Sequence, residues 1–185
     1  AYKYLVEYHK KWYDEHKDVD EYKSDWYIKD GMLELTETKK QEIVLNNIYG
    51  VDIDQNAINH AKIRMAGLVG NIDLSSNIKC GNSLMGTDYF SNMLFYDDAL
   101  WNEIKPFDWN KEFPKVFQNG GFDVVIGNPP YIGEKGHKEI FEKVKNGTLC
   151  DFYVGKMDYF YFFFHLALNI VRDNGIIAFI TTNYY

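Results

Sequence analysis

Apolar residues recur along the chain at two spacings, and the alternation between them predicts an α/β domain. Tyr2, Leu5, Val6, His9, Trp12 and Tyr13 fall at three- and four-residue intervals, so a helix should open the chain with no capping residue before Ala1. From about His16 to Thr36 the chain turns charged, through Asp18, Asp20, Glu21, Lys23 and Asp30-Gly31, and reads as an exposed connection with at most short local structure. Thr38 and Gln41 have capping-box spacing for a helix through Ile43 and Leu45 that should break near Asn46-Asn47. Ile48 to Asp54 then reads as a buried strand. Ala57, Ile58, Ala61, Met65 and Leu68 return to helical intervals, with Asp54 placed as the N-cap.

A short strand from Asn77 to Cys80 should run into Gly81-Asn82-Ser83-Leu84. The stretch that organises the rest is Gly121 to Tyr131. Val124, Val125 and Ile126 form a continuous apolar run bounded by glycines, the pattern of a parallel strand covered on both faces. Pro129 pushes Asn128 out of the helical region, and two successive prolines remove two backbone donors, so the chain leaves the sheet stiff and extended. Tyr159 to Val171, with His165 inside it, reads as a core helix too short to span a bilayer. Asp173-Asn174-Gly175 should then turn the chain into a strand over Ile176 to Ile180.

With 185 residues, 46% hydrophobic and 17% aromatic, the chain can bury a real core, and a single globular domain is expected. Cys80 and Cys150 have neither metal-ligand nor disulfide spacing; they read as small buried residues of a cytoplasmic protein, with no metal site and no membrane segment. A net charge of −7 and the lack of a basic stripe are awkward for a nucleic-acid binder. If the substrate is DNA, most of the basic surface must come from outside this chain.

The Asn128-Pro129-Pro130-Tyr131 tetrad suits chemistry on an amine conjugated to a ring. The lone pair of such a nitrogen is delocalised, so it is a poor nucleophile. Acceptors on both of its N–H bonds, the Asn128 side-chain oxygen and the Pro129 carbonyl, draw it toward tetrahedral geometry and aim its lone pair at a methyl donor, without a strong base. The Tyr131 ring offers a face on which an extruded base can stack. The same four residues could also simply close a strand in a turn. Asp52, at the tip of its strand, has the position from which an acidic residue accepts hydrogen bonds from ribose hydroxyls, or is a solvated loop carboxylate. Asn82 could pair with an adenine edge or cap a turn.

Taken in order, Asn46 to Asp54, Cys80 to Leu84, Phe107-Asp108-Trp109 with Phe113-Pro114-Lys115-Val116-Phe117, and Gly121 to Tyr131 resemble the Eco57I-type family of adenine-N6 DNA methyltransferases. This family includes the methylase parts of type IIG restriction-modification enzymes and of phage-defence methylases. The resemblance implies a Rossmann-like, S-adenosylmethionine-dependent methyltransferase fold, a mostly parallel sheet in the order 3-2-1-4-5 flanked by helices. By it, Asp52 would hold the ribose of S-adenosylmethionine, Ile53 would pack on its adenine, and Asn82 would face that adenine. Asn128, Pro129, Pro130 and Tyr131 would be catalytic. Within Asp158-Tyr159-Phe160-Tyr161-Phe162-Phe163, Phe163 is the candidate, with Tyr131, for lining the target-base pocket.

The family's glycine-rich cofactor loop and its first and last strands have no counterpart here, so residues 1–185 are expected to be one incomplete catalytic core. Residues 17–37 would be a charged insertion, and 86–120 an insertion before the catalytic strand. Such a piece should be inactive alone, could self-associate across its open edge, and would meet double-stranded DNA through regions largely outside it. A glutamine-N5 protein methyltransferase would use the same tetrad. A non-catalytic nucleotide- or DNA-docking fragment is the other reading.

Overall fold

Helices and short strands alternate along residues 1–91 and 97–181, which the computed structural model describes. The chain divides at Lys79/Cys80 into two units.

The first unit runs α1 (Tyr2–Glu15), β1 (Trp26–Lys29), β2 (Met32–Leu35), α2 (Glu37–Asn47), β3 (Gly50–Asp52), α3 (Gln55–Val69) and into β4 (Ile78–Cys80). Its core gathers Val6 and Tyr13 of α1, Leu33 and Leu35 of β2 and Ile43 of α2. The stretch expected to be an exposed connection instead folds into an antiparallel hairpin, with Lys29 opposite Met32. Asp30 and Gly31 both have positive φ, 51° and 78°. That Asp-Gly pair makes the two-residue turn whose twist matches paired strands, and it carries Leu33 and Leu35 into the core.

The cap of α2 is Thr36, which accepts from the Lys39 amide at 3.3 Å, and not Thr38. Thr36 is still extended as it leaves β2, so its hydroxyl reaches the first turn, whereas Thr38 is already helical. Gln41 is drawn away from any capping box, donating to the Val69 carbonyl at 2.9 Å. Asp54 does cap α3, through the Asn56 amide at 2.8 Å. β3 pairs with β4 but is shorter than expected and not buried, since Gly50 and Val51 are half-buried and Asp52 is exposed.

The second unit contains α4 (Asp98–Ile104), α5 (Trp109–Glu112), α6 (Pro114–Gln118), β5 (Phe122–Gly127), α7 (Lys138–Val144), α8 (Phe160–Ile170) and β6 (Val171–Phe179). The stretch read as an insertion, 86–120, holds α4 to α6, and its residues 92–96 lie outside the described residues. Phe141, Val144, Leu149 and Phe162 centre the core. Helix α8 is the core helix expected from the apolar run. His165 stacks on Phe152 at 3.8 Å between ring centroids, and burial lowers its pKa.

β5 and β6 are parallel, with Val124 opposite Ile176 and Gly127 opposite Phe179. Asp173 to Gly175 does not precede the strand but interrupts it. The register shifts between Phe122 and Val124 while Asn174 takes a positive φ of 61°, as in a bulge. Coverage of β5 is one-sided, contrary to the reading of its unbroken apolar run. Helix α8 packs on the side of Phe179, whose ring lies 5.0 Å from that of Phe164. On the other side Val124, Ile126, Ile176 and Ile180 are each more than half exposed. Cys80 is half-buried and Cys150 is exposed, so the second is not the core residue expected.

Candidate active site

The tetrad leaves the sheet where two parallel strands end side by side. The Ile180 amide donates to the Gly127 carbonyl at 3.0 Å, extending the pairing one step past β6. Gly127 is in close quarters here: a Cβ there would lie 3.1 Å from the Phe179 ring, which would have to give by a few tenths of an ångström. Asn128 and Pro130 are then exposed, Pro129 is buried, and the Tyr131 ring is 48% exposed. The Tyr131 hydroxyl lies 2.8 Å from the Ile180 carbonyl and 3.2 Å from Asn128 Oδ1. One proton serves two acceptors, and the shorter contact takes it. Asn128 Oδ1 therefore keeps acceptor capacity. Among the described residues no donor reaches the Pro129 carbonyl. The tetrad thus holds two oxygen acceptors with spare capacity, one on exposed Asn128 and one on buried Pro129, and a half-exposed Tyr131 at the carboxyl ends of parallel strands, where α/β sheets bind ligands.

Beyond Tyr131 the chain is pinned to the approach to α8. Ile132 accepts from the Tyr159 amide at 2.8 Å, Gly133 forms an antiparallel bridge with Asp158, and Glu134 donates to the Met157 carbonyl at 3.2 Å. The Glu134 carboxylate accepts from the Tyr153 hydroxyl and from the Lys156 amide, the latter at 2.5 Å. The Tyr153 hydrogen bond foremost holds the Glu134 pKa below the usual carboxylate value.

Among the rings of α8, the one that meets Tyr131 belongs to Phe160, edge-on at 6.3 Å. Phe163 packs instead against Tyr159, at 5.9 Å, on the margin of the core. Helical spacing alone could not choose between them, because the contact depends on where the tetrad loop returns to the helix. The roles of Ile180 and Glu134 likewise left no local signal.

Asn82 sits in a turn that the Phe-Asp-Trp segment braces. Its amide donates to the Lys105 carbonyl at 2.7 Å, and its Oδ1 accepts from Leu84 at 3.1 Å. Trp109 Nε1 donates to the Ser83 carbonyl at 3.0 Å. Asp108 accepts from the Thr87 amide and hydroxyl, both at 2.7 Å, and from Lys111 at 2.6 Å. Burial alone would raise the Asp108 pKa, but the hydrogen bonds from Lys111 and Thr87 outweigh it and hold the carboxyl below its usual value.

In the first unit, Asp52 follows β3 into the turn before α3. One of its carboxyl oxygens accepts from the Asp54 amide at 2.8 Å, and Ile53 beside it is 48% exposed. Among the described residues no cluster of His, Cys, Asp and Glu could hold a metal ion, and no helix is long and apolar enough to cross a membrane.

Residues 46–185 match the Eco57I restriction-modification methylase family, a span that takes in β3, the Asn82 turn, the tetrad and α8. The chain belongs to this family.

Individual relatives point the same way. A protein of Methanocaldococcus jannaschii, named for a type II restriction enzyme and methyltransferase, is 40% identical over 62 residues, covering 26% of this chain and 5% of its own length. Type II methyltransferase M.HincII of Haemophilus influenzae is 30% identical over 82 residues, 43% of this chain and 16% of its own. Adenine-specific methyltransferase PglX of Streptomyces coelicolor is 31% identical over 109 residues, 49% of this chain and 9% of its own. The chain thus spans only a small part of the length of these relatives.

Proposed function

We propose that this family member takes part in transfer of a methyl group from S-adenosylmethionine to the N6 amine of adenine in DNA. The observation that carries the reading is a pair of acceptors with spare capacity, Asn128 Oδ1, shared at 3.2 Å with the Tyr131 hydroxyl, and the Pro129 carbonyl, in one tetrad with the half-exposed Tyr131. An adenine turned out of the duplex would stack on Tyr131, and its two N–H bonds would donate to those acceptors. The nitrogen lone pair would thereby be freed from the ring. Pro130 keeps the loop extended and adds no competing donor.

Asp52 and Ile53 of the first unit would suit the nucleoside end of S-adenosylmethionine. When bound, that cofactor supplies an electrophilic methyl group. Asp52 retains acceptor capacity beyond its bond from Asp54 and would take the ribose hydroxyls, while Ile53 offers apolar surface to the adenine. In the second unit Asn82 Oδ1 already accepts from Leu84, so its amide nitrogen is the donor it would offer to an adenine edge.

A Rossmann-like sheet is supported by which strands are neighbours. In the order 3-2-1-4-5, the strand ending at Asp52 adjoins the one before Asn82, and the strand before Asn128 adjoins the next; these are the pairs β3–β4 and β5–β6. The test is methyl transfer from labelled S-adenosylmethionine by the full-length polypeptide. Label in N6-methyladenine of duplex DNA is expected. Label confined to protein glutamine, or to neither, would overturn the reading.

A further inference from the structure

A chain with a net charge of −7 still has to approach a polyanion. Three of the second unit's eight lysines do not help, because they are neutralised at short range: Lys111 by Asp108 at 2.6 Å, Lys145 by Glu142 at 2.6 Å, and Lys143 by Glu103. The loop directly behind the tetrad differs. Lys135 and Lys138 are exposed, and neither forms an ion pair with a carboxylate among the described residues. Two carboxylates lie close in sequence. Glu134 accepts from the Tyr153 hydroxyl and the Lys156 amide and feels the Lys138 charge without forming an ion pair with it, and Glu139 is exposed on the first turn of α7.

The loop carrying these lysines is held in place at both ends. The Gly133–Asp158 bridge and the Glu134 contacts fix its start. A turn closed by the His137 amide on the Glu134 carbonyl at 3.0 Å, with Gly136 at a φ of 90°, keeps Lys138 near that start. Lys135 lies four residues beyond Tyr131, so even a fully extended chain keeps its Cα within about 14 Å of the Tyr131 Cα. Phosphates recur about every 3.4 Å of helix axis along one DNA strand, so those flanking a base stacked on Tyr131 fall within that reach.

We infer that Lys135 and Lys138 contact the backbone phosphates flanking the nucleotide held by the tetrad. The inference rests on the DNA methyl-transfer reading. In this account the cations position the target strand and read no base, since phosphate contacts carry no sequence information.

The experiment is a salt titration of binding to a random-sequence duplex by the full-length polypeptide. A Lys135→Ala/Lys138→Ala double variant is compared with Lys3→Ala/Lys115→Ala, which removes the same charge from other exposed positions. Each lost phosphate contact lowers the slope of log K against log salt by about 0.9, so the loop variant should lose about 1.8. Lys135→Arg/Lys138→Arg should keep the wild-type slope. An unchanged slope in the loop variant, or an equal loss in the Lys3/Lys115 control, would overturn the inference while wild-type methylation of DNA left the functional reading standing. A wild-type protein that neither bound nor methylated duplex would overturn both. Unchanged thermal midpoints in the variants exclude misfolding as the cause.

Discussion

The Tyr131 hydroxyl lies 2.8 Å from the Ile180 carbonyl, which ties the end of the tetrad to the chain just past the neighbouring strand. The ring is therefore fixed from two directions, by this hydrogen bond and by the edge of Phe160. Stacking alone would make Tyr131→Phe silent. With the hydroxyl engaged, that variant should instead lose a net contribution of about 1 kcal/mol, roughly a fivefold slower single-turnover rate. Tyr131→Ala should in addition weaken the grip on the extruded base by about 1–3 kcal/mol. Single-turnover rates and DNA affinities of the two variants check both expectations.

Gly81 permits the Asn82 turn to lie against the Phe-Asp-Trp segment. A Cβ at Gly81 would stand 2.6 Å from Cδ2 and 2.9 Å from Cβ of Phe107, which is itself buried. Gly81→Ala should destabilise by about 1–3 kcal/mol through overpacking, read as a lower urea midpoint with little change in slope. Gly67, which has nothing within 4 Å of its hypothetical Cβ, is the matched control.

Asp108 gives the same region a pH dependence. Burial raises its pKa, but the Lys111 and Thr87 hydrogen bonds bring it below the ordinary value. A carboxyl whose folded pKa is depressed stabilises fully above its unfolded pKa, about 3.9, and loses that contribution as pH falls through the folded value. Asp108→Asn should therefore lower the thermal midpoint at pH 7, and the gap from wild type should close below about pH 4. Thermal melts of both proteins across that range test the sign.

The strands that end near Asp52, Cys80 and Gly127, the α3 cap, the core helix and the order of the motifs were legible because each rests on local pattern. Asp54 before α3 and the apolar run of α8 are examples. What escaped was set by tertiary context. Val124 and Ile126 carry the composition of a strand covered on both sides, yet composition cannot say which face a helix reaches, and α8 reaches one. Asp30-Gly31 is a strong hairpin signal that the surrounding charges obscured. The tetrad was plain in sequence, whereas Phe160 and Ile180 meet it from distant positions, and Glu134 anchors the following loop to Tyr153 and Lys156.

In the proposed reaction Asn128 acts on the target amine and not on the cofactor. The measurement is the single-turnover methylation rate of Asn128→Ala in the full-length polypeptide, paired with its S-adenosylmethionine affinity. Loss of one preorganised acceptor should cost about 3–4 kcal/mol, a rate drop of roughly 10²–10³, with cofactor affinity nearly unchanged. Near-normal turnover, or loss of cofactor binding together with activity, would contradict the account.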